Sequence, residues 1–404
     1  MAHLVENLTS SGPTYTLRWR DVTGTHRQRT YRSRRTAQRE LARVATAVAD
    51  GQSTQHYRKT TRTVADAVEE VLGAHRARGL KPSTLLGYEQ VYNARILPMW
   101  GARRLNSLTA GEIEAWARDL LNPPTPASRG LTLSTVHKAV GALNQACRMA
   151  IRRGWLATNP CAGLDLPSPT AAGVVPFQAV FLTPAQVESL ATALADQPPY
   201  DLIIRVAAYT GLRAGEIAGL QVRDINLLQK TITVARTAAR IKGEWVIGTP
   251  KSIRSRRTVP ILHAPLVEDL RVWLGGHPRR NDPTAPLWPG RSVGTGLPDW
   301  DRPYDPGVLY RRHYKPALVT AGLPTETRFH DLRHTFASML LAAGVEPLKV
   351  SRWSGHASLA TTDKIYSHLY PSDHSKEAAA FAAYVATAAP EAATVTPLTR
   401  AATP

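Results

Sequence analysis

Residues near the start of the chain alternate between bulky and polar side chains. The alternation runs over residues 14–22 and again over 26–32, and Thr23-Gly24 between them is a turn signal. Apolar residues at helical spacing follow over residues 33–50. The pattern predicts a β-hairpin supported by one helix, as a small module over residues 1–58.

Apolar residues then recur every three or four positions over residues 61–165, the spacing of helices that bury one face. The predicted helices are 63–79, 82–97, 109–121 and 134–151. Gly154 and Pro160 end the last of them in the manner of a helix C-cap. We therefore expect a compact helical bundle in this part of the chain.

Residues 166–180 are rich in Pro, Ala and Gly, which predicts a linker between domains. The domain that follows, 181–385, opens on a capping box. Thr183 is suited to the N-cap, Pro184 to the first helical position, and Gln186 completes the box.

This last domain mixes helical and β-type segments. Two helical segments lie on either side of Thr210-Gly211, and later helices follow a loop-rich stretch over 275–307. The β-type runs are 230–236, 244–249 and 256–261, and an Ala-rich stretch at 376–388 leads into a flexible tail, 386–404. The predicted fold is multidomain and mainly α. It comprises a small β-sheet with a helix, a helical bundle, and a mixed α/β domain that is mostly helical with a small antiparallel sheet.

The charge indicates what such a chain binds. Lys and Arg number 50 against 31 Asp and Glu, which leaves +19 at pH 7, and forty of the bases are Arg. Arg binds phosphate through two parallel hydrogen bonds. We expect a polyanion as partner, with nucleic acid ahead of a membrane.

Composition also bears on the compartment. No apolar run reaches the roughly 18 residues of a membrane span, and the first residues lack a signal-peptide core. Cys147 and Cys161 are too few for a disulfide framework or a Cys-based zinc site. The expectation is a cytoplasmic protein with no membrane partner.

Five arginines of the predicted hairpin are candidate DNA contacts, because we expect them at its exposed positions. They are Arg18, Arg20, Arg27, Arg29 and Arg32. A basic sheet braced by a helix can enter a DNA groove. The alternative is a solvated positive face.

The residues with chemical character lie in the last domain. In TGLRAGE (210–216), Arg213 falls at a helix start with Glu216 one turn on, where the carboxylate can orient the guanidinium. In HDLRHTFASML (330–340), His330, Arg333 and His334 stand at i, i+3 and i+4.

Two further residues follow in the chain. His356 comes just after the helix-ending Gly355, and Tyr366 lies on a short helix in TTDKIYSHL (361–369). Arginines that neutralise a phosphate, histidines that accept a proton and a tyrosine are the parts needed to attack a phosphodiester. The departing 5′ oxygen needs a proton donor, and Lys251 between two β runs is the candidate, although Lys242 and Arg254 share the region.

Other interpretations of these residues stay open. Arg213 with Glu216 also fits a structural salt bridge, and Tyr366 a packed aromatic. His330 and His334 imitate the zinc pair of H-E-x-x-H, with His356 as a third ligand. Arg333 beside a metal ion would repel it, so we expect no metal.

In these motifs the chain resembles the tyrosine recombinases, also called phage-type integrases. The family carries an Arg in a TGLRxxE context, a Lys on a β-hairpin, an HxLRH helix, a GH and a Tyr. The six matching positions are Arg213, Lys251, His330, Arg333, His356 and Tyr366. Residues 61–165 are similar to the family's core-binding domain, and the first module to its arm-type DNA-binding domain, a three-stranded sheet plus helix. Arg257 sits where the family often keeps a second base.

The resemblance implies a specific reaction. Tyr366 would attack a DNA phosphate to form a 3′-phosphotyrosyl link, with Arg213 and Arg333 as the phosphate clamp and Lys251 as general acid. His330 and His356 would transfer protons and hydrogen-bond the phosphate, with Glu216 and His334 in support. Bond energy is retained, so neither ATP, metal nor other cofactor is required, and the chain has no G-x-x-x-x-G-K-[ST] loop.

It also implies partners. Members act as tetramers on double-stranded DNA with specific attachment sites, and integrate or excise a mobile element. A DNA-bending protein or directionality factor is a further expected partner, and the nucleoid the expected place of action. The alternatives are a type IB topoisomerase that relaxes DNA, and a DNA-binding regulator with an inactive site.

Overall fold

The computed structural model describes residues 2–10, 12–20, 24–49, 61–125, 129–168, 180–249, 256–292, 294–355, 363, 366 and 375–387. Within these residues the chain forms two compact units, Met1–Pro176 and Phe177–Pro404. The predicted linker, 166–180, spans the boundary between them, and most of it lies outside the described residues, as does nearly all of the predicted tail.

The first unit opens with an antiparallel sheet in the order β1-β2-β3. Its elements are β1 His3–Thr9, β2 Gly12–Arg20, β3 His26–Tyr31 and the helix α1 Arg34–Ala49. Leu17 and Trp19 of β2 pack with Val44 of α1 in a small core. The alternation pattern predicts only β2 and β3. The extra strand, β1, agrees with the three-stranded sheet that the resemblance implies.

The five candidate arginines do not share one surface. Arg32 follows β3 and is exposed. Arg18 and Arg20 are exposed on β2, whereas Arg27 and Arg29 lie opposite Trp19 and Leu17 and are half-buried. Directly opposed side chains lie on the same face of a sheet, so these two point to the side of α1. The guanidinium of Arg29 lies 5.4 Å from the Tyr31 ring. The prediction of exposure is therefore wrong for Arg27 and Arg29.

A helical bundle follows, as the spacing predicts. Its elements are α2 Val64–Ala77, α3 Pro82–Val91, α4 Leu97–Trp100, α5 Ala110–Leu121 and α6 Leu133–Arg152. Thr63 and Thr109 begin α2 and α5 with capping boxes. The predicted helix 82–97 is continuous but passes through a π-helical turn, Tyr92–Ile96, which buries Tyr92 and Ile96 in the bundle core.

The second unit is mostly helical, which confirms the predicted fold class. Its helices are α7 Pro184–Thr192, α8 Tyr200–Thr210, α9 Ala214–Ala218, α10 Ala264–Gly275, α11 Pro306–Val308, α12 Lys315–Thr320, α13 Asp331–Ala342, α14 Pro347–Ser354 and α15 Ser375–Thr387. The capping box predicted at Thr183 is formed, with Pro184 at the first helical position.

The strands of this unit form three small antiparallel sheets: β4-β5-β8, β6-β7 and β9-β10. The strands are β4 Ile225–Asn226, β5 Thr231–Val234, β6 Thr237–Ile241, β7 Glu244–Gly248, β8 Arg257–Pro260, β9 Pro289–Arg291 and β10 Pro298–Pro303. The β-type run at 230–236 ends earlier than predicted, because the chain leaves β5 to start the β6–β7 hairpin.

A large core in this unit joins α7, α8, α10 and α12 to the sheet β4-β5-β8. A smaller cluster packs α13 against α14 through Phe336, Leu340 and Val350, and it includes Tyr366. Among the described residues no helix combines the length and hydropathy needed to cross a bilayer.

Candidate active site

Arg213 is placed by a turn between two helices. α8 ends at Gly211, whose φ is +64°, and Arg213 immediately precedes α9. Its Nη1 donates to Glu216 Oε1 at 2.8 Å, and its backbone N–H donates to Oε2 at 3.0 Å. The carboxylate thus orients the guanidinium as the spacing predicts.

Gly211 has no substitute in this turn. A side chain is strained at its positive φ, and a Cβ built there would overlap the ring of Phe336 on α13. The close approach lets the Gly211 carbonyl accept a hydrogen bond from Nη1 of Arg333 at 2.7 Å. The turn therefore orients both arginines.

Among the described cations of the site Arg333 is the most deeply buried, with 2 % of the residue exposed. Its Nη2 is buried and has no hydrogen-bond partner among the described residues. Burial, together with the charges of Arg213 and Arg257, lowers the pKa of Arg333 to about 9. Burying a guanidinium nitrogen without a hydrogen-bond acceptor destabilises the protein unless a ligand supplies the acceptor.

The two histidines of the HDLRH motif differ in environment. His330 is exposed at the start of α13, whereas His334 is buried one turn further on, and their ring centroids are 5.2 Å apart. Although part of the His330 residue is exposed, desolvation of its ring by the surrounding protein lowers its pKa to about 4, and electrostatic interactions with His334, Arg333 and Arg213 add to the shift. Burial lowers the pKa of His334 as well. Both rings are neutral at pH 7.

Tyr366 is fully buried, and its hydroxyl lies 2.7 Å from Nδ1 of His334. Its ring packs near Phe181 at 5.9 Å between centroids. Burial raises the pKa of Tyr366; the charge of Arg333 opposes that shift, and Asp331 adds to it. The phenol is therefore neutral in this position, and it is paired with a different histidine from those the sequence favours for proton transfer.

Arg257 on β8 completes the cluster, although sequence reasoning did not place it in the site. It donates to both oxygens of Glu216, at 3.1 and 2.9 Å. The only signal for it is the second base that the resemblance notes after Lys251.

Gly355 links the cluster to the end of α14. Its φ is +65°, and its carbonyl accepts from Nη2 of Arg213 at 2.8 Å. Lys251 and His356 themselves lie outside the described residues. The structure thus brings together Arg213, Glu216, Arg333, His330, His334 and Tyr366 from the predicted set.

Metal ligation was the competing interpretation of the two histidines. Within the described part of the chain, no group of three or more His, Cys, Asp or Glu side chains could hold a metal ion. Nδ1 of His334 instead faces the Tyr366 hydroxyl.

The sequence is similar to those of known proteins. A sequence model of the Phage integrase family matches residues 180–373. The chain is 25 % identical over 293 residues to the ICEBs1 integrase of Bacillus subtilis, covering 72 % of this chain and 75 % of that protein. It is 26 % identical over 290 residues to a putative prophage phiRv2 integrase of Mycobacterium tuberculosis, covering 70 % and 69 %.

Solved structures share the fold. The Tn1549 transposon integrase in complex with circular intermediate DNA matches with a TM-score of 0.59 at 22 % identity, over 80 % of this chain and all of that one. A lambda integrase tetramer bound to a Holliday junction matches with a TM-score of 0.53 at 18 % identity, over 91 % and 94 %. Together with the arginine cluster and the buried tyrosine beside it, these matches show that residues 180–373 are a phage integrase domain and that the chain is a tyrosine-type, site-specific DNA recombinase.

Proposed function

We propose that Tyr366 is the nucleophile of this recombinase and that Arg213 and Arg333 clamp the scissile phosphate of double-stranded DNA. The observation that carries the proposal is the buried Nη2 of Arg333, which lacks a partner among the described residues. A non-bridging phosphate oxygen would supply the missing acceptor. The same contact would stabilise the negative charge that grows on the phosphorane in the transition state.

The electrostatics of the cluster favour an anion. Three guanidinium groups, those of Arg213, Arg257 and Arg333, lie around the carboxylate of Glu216. Burial of the charge, followed by repulsion from Arg213 and Arg257, lowers the pKa of Arg333. A phosphate between Arg213 and Arg333 would relieve both.

In the reaction, the phenolic oxygen of Tyr366 forms a bond to phosphorus while the bond from phosphorus to the 5′ oxygen breaks. The phenolic proton leaves to a base, and the 5′ oxygen gains a proton from a donor, for which Lys251 is the candidate. His330 and His356 are assigned proton transfer and hydrogen bonds to the phosphate. Attack by a 5′ hydroxyl on the phosphotyrosine reverses the step, so the balance needs no cofactor.

The observed position of Tyr366 places a condition on this reaction. No atom of its side chain is accessible, so a DNA phosphate cannot contact the hydroxyl there. Attack requires the tyrosine to leave its contact with His334. The buried position corresponds to the resting enzyme.

Two basic surfaces of the first unit are proposed to hold the DNA. One is the open face of the sheet β1-β2-β3, where Arg18 and Arg20 are exposed; it would bind arm-type sites. The other is a groove of about 820 Å³ between α2, α3 and α6 of the bundle. Its charged lining residues are all basic: Arg78, Lys138, Arg148 and Arg152. This groove would bind the core of the attachment site.

The assembly is proposed to be a homotetramer on two attachment sites, as the family resemblance implies. α15 exposes Phe381, Tyr384 and Val385. This apolar surface would suit a C-terminal segment exchanged between neighbouring subunits. The activity would integrate or excise a mobile element, with the protein in the cytoplasm at the nucleoid and with a DNA-bending or directionality factor as a further partner.

The test is capture of the covalent intermediate. The protein is incubated in EDTA with nicked duplexes that tile the DNA flanking its gene, and the protein–DNA adduct is measured on denaturing gels. Wild type should form an adduct and Tyr366→Phe none. An undiminished adduct with Tyr366→Phe, or none with wild type, contradicts the proposal. Relaxation of supercoiled DNA without site preference would indicate a topoisomerase, and salt-sensitive binding without cleavage a regulator.

A further inference from the structure

Arg257 contacts two separate parts of the site through its guanidinium group. Only 7 % of its side chain is exposed, and it binds Glu216 with both terminal nitrogens, Nη1 to Oε1 at 3.1 Å and Nη2 to Oε2 at 2.9 Å. This fork-to-carboxylate pairing is the strongest geometry open to an arginine. Arg257 therefore holds Glu216 in one orientation.

The same side chain also holds the end of α14. Its Nε donates to the backbone carbonyl of Trp353 at 2.6 Å. Gly355 packs directly on the guanidinium, since a Cβ at Gly355 would lie 3.0 Å from Cζ of Arg257. The guanidinium group of Arg257 thus connects β8 to the C-terminal end of α14, which precedes His356 in the chain.

These two sets of contacts converge on Arg213. Its Nη1 donates to Glu216, which Arg257 orients, and its Nη2 donates to the carbonyl of Gly355, which Arg257 supports. Both hydrogen bonds that direct the Arg213 fork therefore end on groups held by Arg257. We infer that Arg257 is a positioning residue that aims the guanidinium of Arg213 at the scissile phosphate.

The inference rests on the proposed function, in which Arg213 is part of the phosphate clamp. It assigns Arg257 no contact with DNA, because the side chain is buried and its nitrogens are engaged within the protein. Charge explains why the contact matters. Glu216 accepts hydrogen bonds from both arginines, and without Arg257 it would bind Arg213 alone, through both oxygens. Arg213 would then turn away from Gly355 and from the phosphate.

The effect should fall on the chemical step. A displacement of about 1 Å in a catalytic group costs on the order of 10²-fold in rate. Arg257→Lys keeps the charge but loses the fork, so we expect its single-turnover cleavage of a nicked substrate to fall roughly 10- to 100-fold. Its DNA affinity should change less than about twofold, since the surfaces proposed to bind DNA are elsewhere. Arg205→Lys is the matched control, because Arg205 is a half-buried, ion-paired arginine of the same unit outside the site.

A DNA substrate with an uncharged scissile group can distinguish a positioning role of Arg257 from a general structural role. In a methylphosphonate substrate one non-bridging oxygen of the scissile group is replaced by methyl, which removes the negative charge that the clamp neutralises. The ratio of wild-type to Arg257→Lys cleavage rates should then shrink at least about tenfold, as should the ratio for Arg213→Ala. Both substrates are cut by the same preparation, so any misfolded fraction cancels in the comparison.

The outcomes are distinct. The inference is overturned if the ratio of wild-type to Arg257→Lys cleavage rates is the same on the phosphate and methylphosphonate substrates. It is also overturned if Arg257→Lys cleaves the phosphate substrate at the wild-type rate. A loss of DNA affinity that matches the loss of cleavage also overturns it. If wild type itself forms no adduct, the proposed function fails instead. Arg257→Gln is a second variant, which lacks the positive charge at this position, and the same ratio of cleavage rates on the two substrates is measured for it.

Discussion

The hydroxyl of Tyr366 lies 2.7 Å from Nδ1 of His334, and both residues are buried. With the ring hydrogen on Nε2, the neutral imidazole accepts the phenolic proton in a hydrogen bond. The contact joins the HDLRH helix to the segment that carries the nucleophile. It gives His334 a specific partner, where the sequence suggests only a supporting role.

Replacing His334 should therefore destabilise the resting position of the nucleophile. His334→Leu leaves a buried hydroxyl without its acceptor, and we expect the free energy of unfolding to fall by about 1–3 kcal/mol. His334→Asn places an acceptor near the position of Nδ1 and should lose less. Thermal unfolding measures the difference, and the ¹⁹F resonance of 3-fluorotyrosine at position 366 reports the burial of the ring. Equal melting temperatures for the two variants would contradict this account.

Arg333 should be costly for stability and essential for activity. We expect Arg333→Met to reduce cleavage by roughly 10²- to 10³-fold, the usual effect of losing one donor to a transition-state anion. Its melting temperature should equal or exceed that of wild type, because an incompletely paired buried cation is removed. Arg236→Met is the contrast: Arg236 is ion-paired with the buried Asp224, and its loss leaves that carboxylate unpaired. A lower melting temperature for Arg333→Met than for Arg236→Met would refute the argument.

Gly211 should tolerate no side chain. Gly322 has nearly the same positive φ but open space around its Cβ position, so Gly322→Ala should cost only the backbone strain of roughly 1–2 kcal/mol. Gly211→Ala adds the overlap with Phe336 and displaces the carbonyl that holds Arg333. We expect it to lose more stability than Gly322→Ala and to lose cleavage as well. Unfolding curves and adduct yield for both variants check this, and equal behaviour would count against it.

His330 should give the protein a measurable pH dependence. Its pKa is lowered to about 4, so the unfolded chain binds a proton more readily than the folded one between about pH 6.5 and 4. The contribution of His330 to the free energy of unfolding is therefore fully present above pH 6.5, and it is lost as the pH drops toward 4. His330→Gln should show a shallower fall in melting temperature over that window. The other histidines titrate in both proteins, so the difference between the two profiles isolates His330. Parallel profiles would contradict the lowered pKa.

The sheet of the first unit should bind DNA through one face. Each phosphate contact contributes about 0.9 to the slope of log affinity against log salt. Replacing Arg18 and Arg20 with Gln should reduce that slope by up to about 2 on a random-sequence duplex. Replacing Arg27 and Arg29 should reduce it less, because they are half-buried on the side of α1. Equal losses for the two pairs would show that the open face is not the DNA-binding surface.

The sequence by itself determined the helices of the first unit and about half of the strands, and it indicated the family. Helical spacing located α2, α5 and α6, and the capping residues Thr63, Thr109 and Thr183 marked where helices begin. These are local features, because a cap or an amphipathic face depends on residues within a few positions of one another. The pairing of Arg213 with Glu216 could be predicted for the same reason.

Only the tertiary structure decided which distant groups meet. Nothing in the spacing indicates that Arg257 binds the carboxylate of Glu216, which lies 41 residues earlier in the chain. Nor does it indicate that His334 rather than His330 contacts Tyr366. The inward placement of Arg27 and Arg29 was likewise set by strand register, which fixes the face of every side chain at once. Such contacts arise when separate elements pack around a shared core, so they depend on the whole fold and not on any one segment.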